Sequence, residues 1–166
     1  MPQLLWDASS LVKRYFGEVG SGTVNALFAV SPVLPMATTF MGYAETCAIL
    51  RRKRNQGAIT ASAFSSARRL LDTEVFYGVS FDLLSIEDAA ILSGIALADA
   101  HNINSTDAAI LATYLDYTRS LLPTDPRCVL VASDLRLLRA ATAEGLKTFN
   151  PETILPTDVP GFIASL

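Results

Sequence analysis

The chain has 166 residues and a net charge of −3, and 51% of its residues are hydrophobic and 17% charged. This balance favours one packed domain and excludes a disordered chain or a basic nucleic-acid coat protein. It does not exclude a nuclease, because carboxylates that hold metal ions lower the formal charge. No apolar run reaches the ~20 residues that cross a bilayer. The first residues lack the pattern of a signal peptide, so we expect a cytoplasmic protein.

The first half of the chain alternates short apolar runs with helical patterns. Strands are expected at 3–6, 33–37 and 79–83. Helices are expected directly after Asp7, over 21–30, from a cap at Thr38 or Thr39 to Arg54, and from Thr60 to between 71 and 75.

The second half continues the alternation. A capping pattern at Ser85 starts a helix to about Ala100, and Ser105 caps another to about Tyr117. After a loop at 121–127, the pattern predicts a strand at 128–132, a helix at 134–143 and a strand at 147–149. Three prolines between 150 and 166 predict an irregular tail.

Short apolar strands that alternate with helices indicate a parallel sheet covered on both faces. The sequence contains no repeat and no interdomain linker. We therefore expect a single α/β domain over residues 1–150, with 151–166 as a proline-containing C-terminal tail that is packed on the domain or trails it.

Two aspartates directly follow predicted strands. Asp7 follows the first strand and Asp134 follows the strand at 128–132. Ligands of open α/β sheets bind at the carboxyl ends of the strands, so both side chains are expected at one rim. Helix N-capping explains either aspartate alone equally well.

Glu45 and Asp107 lie on helical faces that carry apolar residues at offsets of three and four. A carboxylate that faces inward needs a cation, a hydrogen-bond network or a metal ion. The plainer alternative is a buried ion pair with one of four nearby cations: Lys13, Arg14, Arg51 or Arg52.

Four acids at one rim repel each other, and a divalent cation is their natural partner. Mg²⁺ and Mn²⁺ prefer oxygen ligands. Such a site activates water and stabilises charge on a phosphodiester, so phosphodiester hydrolysis is the expected reaction class.

The same four acids stand in four motifs that resemble those of the PIN domain, specifically its VapC toxin branch. The similarity extends over about residues 3–151. The motifs are Leu5-Trp-Asp7-Ala-Ser-Ser, Ala44-Glu45-Thr-Cys-Ala, Thr106-Asp107-Ala-Ala-Ile-Leu-Ala and Val129-Leu-Val-Ala-Ser-Asp134, the last followed by Glu144-Gly-Leu and Asn150-Pro. Each motif is weak alone, but four in order are a strong signal.

The resemblance implies a PIN-like three-layer α/β/α sandwich with a central parallel sheet of four or five short strands. It implies an endoribonuclease that depends on Mg²⁺ or Mn²⁺, in which Asp7, Glu45, Asp107 and Asp134 are the metal-binding and catalytic acids. It also implies RNA as substrate, a small VapB-like antitoxin that covers the acidic groove, and a homodimer.

The chain departs from the family pattern near its last acid. Many members have Ser or Thr two residues before that acid, whereas this chain has Ala132, and Ser133 is the possible substitute. The spacing from Asp107 to Asp134 is 27 residues, which is long for the family, and 118–127 resembles an inserted loop.

Five further residues are candidates for substrate binding. Helix capping is the plainer role for Ser9, and charge balance beside the acids is the plainer role for Lys13. Arg51 and Arg52 suit a helix C-terminus as well as a phosphate-binding edge. Ser133 is a candidate only as the substitute for the missing hydroxyl.

Three other functions remain open. A phosphotransfer enzyme with Asp7 as nucleophile would usually have a second aspartate where this chain has Ser9. A non-catalytic α/β module would use the acids as caps and ion pairs. A housekeeping PIN nuclease would act without an antitoxin. The lone His101 excludes a two-histidine ribonuclease, and no glycine-rich phosphate loop is present.

Overall fold

The computed structural model describes residues 2–30, 33–121 and 127–166. Five parallel strands form one sheet in the order β3-β2-β1-β4-β5. The strands are β1 (Gln3–Trp6), β2 (Met36–Thr39), β3 (Phe81–Leu84), β4 (Cys128–Val131) and β5 (Lys147–Phe149). The parallel sheet expected from the sequence is confirmed.

Helices cover both faces of the sheet. They are α1 (Ala8–Leu11), α2 (Ser21–Phe28), α3 (Phe40–Asn55), α4 (Ala61–Leu71), α5 (Asp88–His101), α6 (Ser105–Leu121), α7 (Leu135–Ala143) and α8 (Val159–Ala164). A 3₁₀ turn extends α1 over Val12–Arg14, and a π-helical turn extends α4 over Asp72–Phe76. No helix within the described ranges is both long and apolar enough to cross a membrane.

Two apolar clusters make this a three-layer structure, because alternate residues of a strand face opposite sides. Leu4 and Trp6 of β1 lie in one cluster with residues of α2, α3, α4 and α8. Leu5 lies in the other cluster with residues of α5, α6 and α7. Since both faces are buried at the centre of the sheet, β1 and β4 read as nearly continuous apolar runs.

Two strands begin later than expected. The second was predicted at 33–37, but β2 starts at Met36, directly after Pro35, which has no N–H to donate to a sheet. The third was predicted from Val79, but that side chain is 104% exposed and β3 starts at Phe81. Residues 33–35 and 79–80 therefore lie in the loops that lead into these two strands.

Two helix caps also differ from the prediction. Helix α5 begins at Asp88 with Glu87 as its N-cap, so the predicted cap at Ser85 is wrong. Helix α6 begins at Ser105, and the residue that caps it is Asn104, whose Oδ1 accepts a hydrogen bond from the N–H of Asp107 at 2.8 Å. Asparagine is one of the strongest N-cap residues, which explains the shift by one position.

The loop predicted at 118–127 is helical in its first part. Residues 118–121 form the last turn of α6, so this part of the prediction is wrong. The rest of the predicted insertion, 122–126, lies outside the described residues.

The C-terminal segment is not irregular. It forms a 3₁₀ turn (Pro156–Asp158) that leads into α8, whose second residue is Pro160. Proline is tolerated in the first turn of a helix, where no N–H is required, so these prolines permit a helix instead of preventing one. Val159 is fully buried, and the ring of Phe162 packs 4.6 Å from that of Phe149. The segment therefore completes one layer of the core.

Candidate active site

The four predicted acids surround one cleft of about 340 Å³ at the carboxyl ends of the strands. Asp7 and Asp134 reach it from the ends of β1 and β4, Glu45 from α3 and Asp107 from the first turn of α6. The remaining lining residues are Ala8, Ser9, Ala48, Ile49, Arg52 and Asn104. The structure thus brings together the acids that the sequence singled out from four separate segments.

The backbone at Asp7 is fixed from three directions. Its N–H donates to the carbonyl of Val131 at 3.0 Å. The preceding carbonyl, that of Trp6, accepts hydrogen bonds from the hydroxyl of Tyr114 at 2.7 Å and from that of Thr38 at 2.9 Å. Strands β2 and β4 and helix α6 therefore jointly set the position of this acid.

The Asp7 side chain is 6% exposed and is held on one oxygen. Its Oδ2 accepts hydrogen bonds from the N–H of Ser9, at 2.8 Å, and from the Ser9 hydroxyl. The Ser9 Oγ in turn accepts from the N–H of Ser133 at 2.9 Å, and the Ser133 Oγ lies 3.2 Å from that of Ser10. These contacts join the ends of β1 and β4, while Ala132 is buried.

Asp134 caps a helix and lines the cleft at the same time. Its Oδ1 accepts from the N–H groups of Arg136, at 2.8 Å, and Leu137, at 3.1 Å, at the start of α7. Asp7 makes the equivalent contact at α1. The capping alternative is therefore correct for both residues, and it does not compete with a place in the cleft.

Glu45 and Asp107 are half-buried and not enclosed in the apolar core. Met41, on the same face as Glu45, is 45% exposed, so this face lines the cleft and not the interior. The alternative of a buried ion pair is not found: among the described residues, none of the four acids pairs with a lysine or arginine. Two of the four candidate cations have other partners: Lys13 pairs with Glu18 and Glu152, and Arg14 pairs with Glu74.

Burial and mutual repulsion raise the pKa values of three of the acids. Burial raises the pKa of Asp7, and the charge of Asp134 adds to it, although hydrogen bonds from Ser9 oppose the shift. Burial and the charges of Asp7 and Asp107 raise the pKa of Glu45. Burial and the charges of Asp7 and Asp134 raise the pKa of Asp107 to about 6. The positive charges of Arg52, on Glu45, and of Arg136, on Asp107, oppose these shifts without cancelling them, so a bound cation would relieve the remaining repulsion.

The donor set suits Mg²⁺ or Mn²⁺, which prefer carboxylate oxygens. Asp7 is a buried carboxylate with no cationic partner among the described residues, and that is the feature a bound metal ion would satisfy. Within those residues, no three side chains of His, Cys, Asp or Glu stand in an arrangement that could hold one ion. Mg²⁺ does not need three, because it is usually held by one or two carboxylates together with water and substrate phosphate.

The predicted substrate-binding residues are placed unequally. Ser9 and Arg52 line the cleft. Arg51 is exposed and is not among the lining residues. Lys13 is 4% exposed, and its ammonium donates to Glu18 and Glu152. Charge balance was the alternative to substrate binding for this residue, and it is confirmed, but with these two glutamates and not with the acids of the cleft.

Sequence reasoning missed two residues beside the acids. Asn104 lines the cleft and donates to Asp107 Oδ2 at 2.6 Å. The positive charge of Arg136 opposes the rise in the pKa of Asp107. The pattern Asn-x-x-Asp at a helix start could have indicated Asn104, since it has the spacing of a capping box. Nothing in the sequence placed Arg136 near an acid of another helix.

No protein-family model and no curated protein matches the sequence. Solved structures do match it. A toxin–antitoxin complex from Klebsiella pneumoniae aligns with a TM-score of 0.58 and 17% identity, over 91% of this chain and 99% of that one. A protein from Pyrobaculum aerophilum aligns with a TM-score of 0.62 and 18% identity, over 97% and 99%. The Mycobacterium tuberculosis toxin VapC20, described as cleaving the sarcin–ricin loop, aligns with a TM-score of 0.59 and 16% identity, over 86% and 95%.

At these identities the similarity establishes the fold. The chain shares its fold with the toxin VapC20 and with a chain of the toxin–antitoxin complex, over at least 86% of this chain and 95% of each of those chains. The expected PIN-like α/β/α sandwich is thereby confirmed.

Proposed function

We propose that this protein is an endoribonuclease that depends on Mg²⁺ or Mn²⁺ and is the toxin of a VapBC-type toxin–antitoxin pair. The observation that carries the proposal is the cleft in which four carboxylates converge, none of them in a salt bridge with a lysine or arginine that the structure describes. The shared fold supports it, since one structural neighbour is described as an RNA-cleaving toxin.

Asp7, Glu45, Asp107 and Asp134 are the residues that would hold one or two metal ions, each ion by one or two carboxylates together with water and substrate phosphate. A divalent ion in such a cleft makes water a stronger nucleophile and stabilises charge on the phosphate. Ser9 keeps the Asp7 carboxylate in one orientation through Oδ2. Arg52 of α3, which lines the cleft, would bind an RNA phosphate next to the acids. Water attacks the phosphorus and the bond to O3′ breaks, which gives a 5′-phosphate and a 3′-hydroxyl.

Substrate selection would rest on RNA shape and unpaired bases, because A-form RNA hides its base edges in a deep, narrow groove. The open cleft suits single-stranded segments or loops. A panel of structured RNAs is therefore the appropriate substrate set.

The proposed partner is a small VapB-like antitoxin with a segment that covers the acidic cleft and offers an arginine to it. Two of the structural neighbours support an antitoxin partner: one is a toxin–antitoxin complex from Klebsiella pneumoniae, and the other is VapBC-1 from nontypeable Haemophilus influenzae. If a gene for a small DNA-binding protein lies beside the gene for this chain, that finding would support the toxin–antitoxin pair. If no such gene is present, the housekeeping nuclease is favoured.

We also propose that the protein is a homodimer, which analytical ultracentrifugation checks, and that it is located in the cytoplasm.

Cleavage of the RNA panel with Mg²⁺, with Mn²⁺ and with EDTA tests the activity. Asp7→Asn should lower the rate about 100-fold or more, because it removes a negative charge from the metal-binding cleft. Asp116→Asn is the control, since Asp116 lies outside the cleft and pairs with Arg119 on the same helix.

Cleavage in EDTA, or full activity of Asp7→Asn, would exclude the metal mechanism. A phosphorylated Asp7 would favour the phosphotransfer alternative. No cleavage of any RNA would favour the non-catalytic binding module.

A further inference from the structure

Helix α6 begins at a rigidly fixed point of the cleft. Helix α5 ends at His101, and its C-cap residue Asn102 has a left-handed backbone with φ of 51°. Ile103 is buried in the same apolar cluster as Ala108. This is the hydrophobic staple that sets the angle at which the chain enters a helix. The backbone of the next residue, Asn104, is therefore positioned by its neighbours, independently of the contacts that its own side chain makes.

The Asn104 side chain makes two different hydrogen bonds with Asp107. Its Oδ1 accepts from the Asp107 N–H at 2.8 Å, which is the ordinary N-cap contact. Its Nδ2 donates to Asp107 Oδ2 at 2.6 Å. Helix capping needs only the first of these. The second joins a side-chain amide to one of the acids of the cleft, which Asn104 itself also lines.

The other two aspartates of the cleft are held in the same way. Asp7 is fixed through Oδ2 by Ser9, and Asp134 is fixed through Oδ1 by the N–H groups of Arg136 and Leu137. At Asp107 and Asp134, none of the described residues donates a hydrogen bond to the second oxygen, and at Asp7 the backbone N–H of Ala8 also stabilises the carboxylate. At Asp107 and Asp134, one oxygen is thus oriented by the protein and the other is left for a ligand. Only at Asp107 is the orienting donor a side-chain amide.

We propose that Asn104 is a positioning residue for Asp107: its amide fixes Oδ2, so that Oδ1 is presented to a divalent ion in the cleft. The inference rests on the proposed metal-dependent function and adds to it a residue outside the four acids. Partners that orient metal ligands typically contribute 10–100-fold to metal affinity or activity.

The two contacts of Asn104 can be separated by substitution. Asn104→Ser keeps an oxygen that caps α6 but has no amide to reach Asp107 Oδ2. Asn104→Ala removes both contacts. Thr60→Ala is the matched control: Thr60 caps α4 by accepting from the N–H of Ala63 at 3.1 Å, and it does not line the cleft.

The experiment measures the rise in Tm of each protein as Mn²⁺ is added, and then kcat and KM for a cleaved RNA. Asn104→Ser should keep the metal-free Tm, raise the Mn²⁺ midpoint about 10-fold and lower kcat about 10-fold or more, with KM little changed. Asn104→Ala should do the same and lose about 2–4 °C of metal-free Tm. Thr60→Ala should lose a similar Tm and keep the Mn²⁺ midpoint.

An Asn104→Ser protein with the wild-type Mn²⁺ midpoint and kcat overturns the proposal and leaves Asn104 as a helix cap only. A higher KM with unchanged kcat and midpoint overturns it in favour of direct substrate contact. A wild-type protein whose Tm does not respond to Mn²⁺ overturns both this proposal and the proposed function. Because the Tm measurement needs no cleavage, the first two results are distinguishable from the third.

Discussion

The pKa of Asp107 changes when the chain folds. Its pKa rises from 3.8 to about 6, because the side chain becomes half-buried and comes close to Asp7 and Asp134. The folded state therefore binds the proton more tightly than the unfolded state does. Ionisation of Asp107 therefore lowers the free energy of unfolding; this loss is absent below pH 3.8 and complete above about pH 6. Stability of the metal-free protein should fall over this range as pH rises.

Asp107→Asn should remove that loss. After allowance for solvent screening of a half-buried group, we expect the metal-free variant to be about 1–2 kcal/mol more stable than wild type at pH 7.5 and little different at pH 4. Urea unfolding in EDTA at the two pH values measures this. Asp116→Asn on the same helix is the control, because Asp116 is exposed and paired with Arg119. A variant that is less stable at pH 7.5 would contradict the prediction.

At the scale of elements, the packing of α5 on α6 depends on a helical glycine. A Cβ at Gly94 would lie 3.0 Å from the nitrogen of Ala109 and 3.1 Å from the carbonyl carbon of Ala108. Both are backbone atoms of the helix that carries Asp107, so they cannot move as a flexible side chain would. The close approach of the two helices therefore helps to place this acid.

Gly94→Ala should destabilise the protein by about 1 kcal/mol. Forcing the two helices apart costs about 1–3 kcal/mol, and the better helix propensity of alanine recovers up to about 1. Gly161→Ala in α8 is the control, since no atom lies within 4 Å of a Cβ built there, and it should be neutral or slightly stabilising. Chemical denaturation compares the two. Equal stability of both variants would show that α5 and α6 have room to separate.

At the scale of the whole molecule, a buried lysine ties the C-terminal segment to the segment after β1. The Lys13 ammonium lies 3.1 Å from Glu18 and 2.7 Å from Glu152, and Lys53 of α3 binds the second oxygen of Glu18 at 3.1 Å. Three parts of the chain that are distant in sequence thus share one network of charges beside the domain core.

Lys13→Met should cost about 2 kcal/mol of stability, because Glu152 loses its cation and Glu18 keeps only Lys53. Arg119→Met, which breaks an exposed pair with Asp116, should cost less than about 0.5 kcal/mol. Denaturation midpoints measure both. RNA cleavage by the folded Lys13→Met protein should be unchanged, and a raised KM would restore Lys13 as a substrate-binding residue.

The sequence by itself determined the order of the strands and of the helices up to residue 149, and it singled out the four acids. These features are recorded locally: a short apolar run such as 128–131, bounded by a loop and a capping residue, indicates a buried strand, and Asp7 and Asp134 follow such runs directly. The caps at Thr39 and Thr60 were readable for the same reason, since a capping side chain bonds to an N–H of its own first turn. The fold class followed from the alternation.

The tertiary structure alone decided which surface each side chain meets. Periodicity showed that Glu45 shares a face with apolar residues, but only the position of α3 decided that this face lines a cleft. The link between Ser9 and Ser133 and the pairing of Lys13 with Glu152 join residues more than a hundred positions apart, and no local pattern records them. The helix at 159–164 was missed because prolines favour turns in a local pattern, whereas burial of Val159 against the core stabilises the helix.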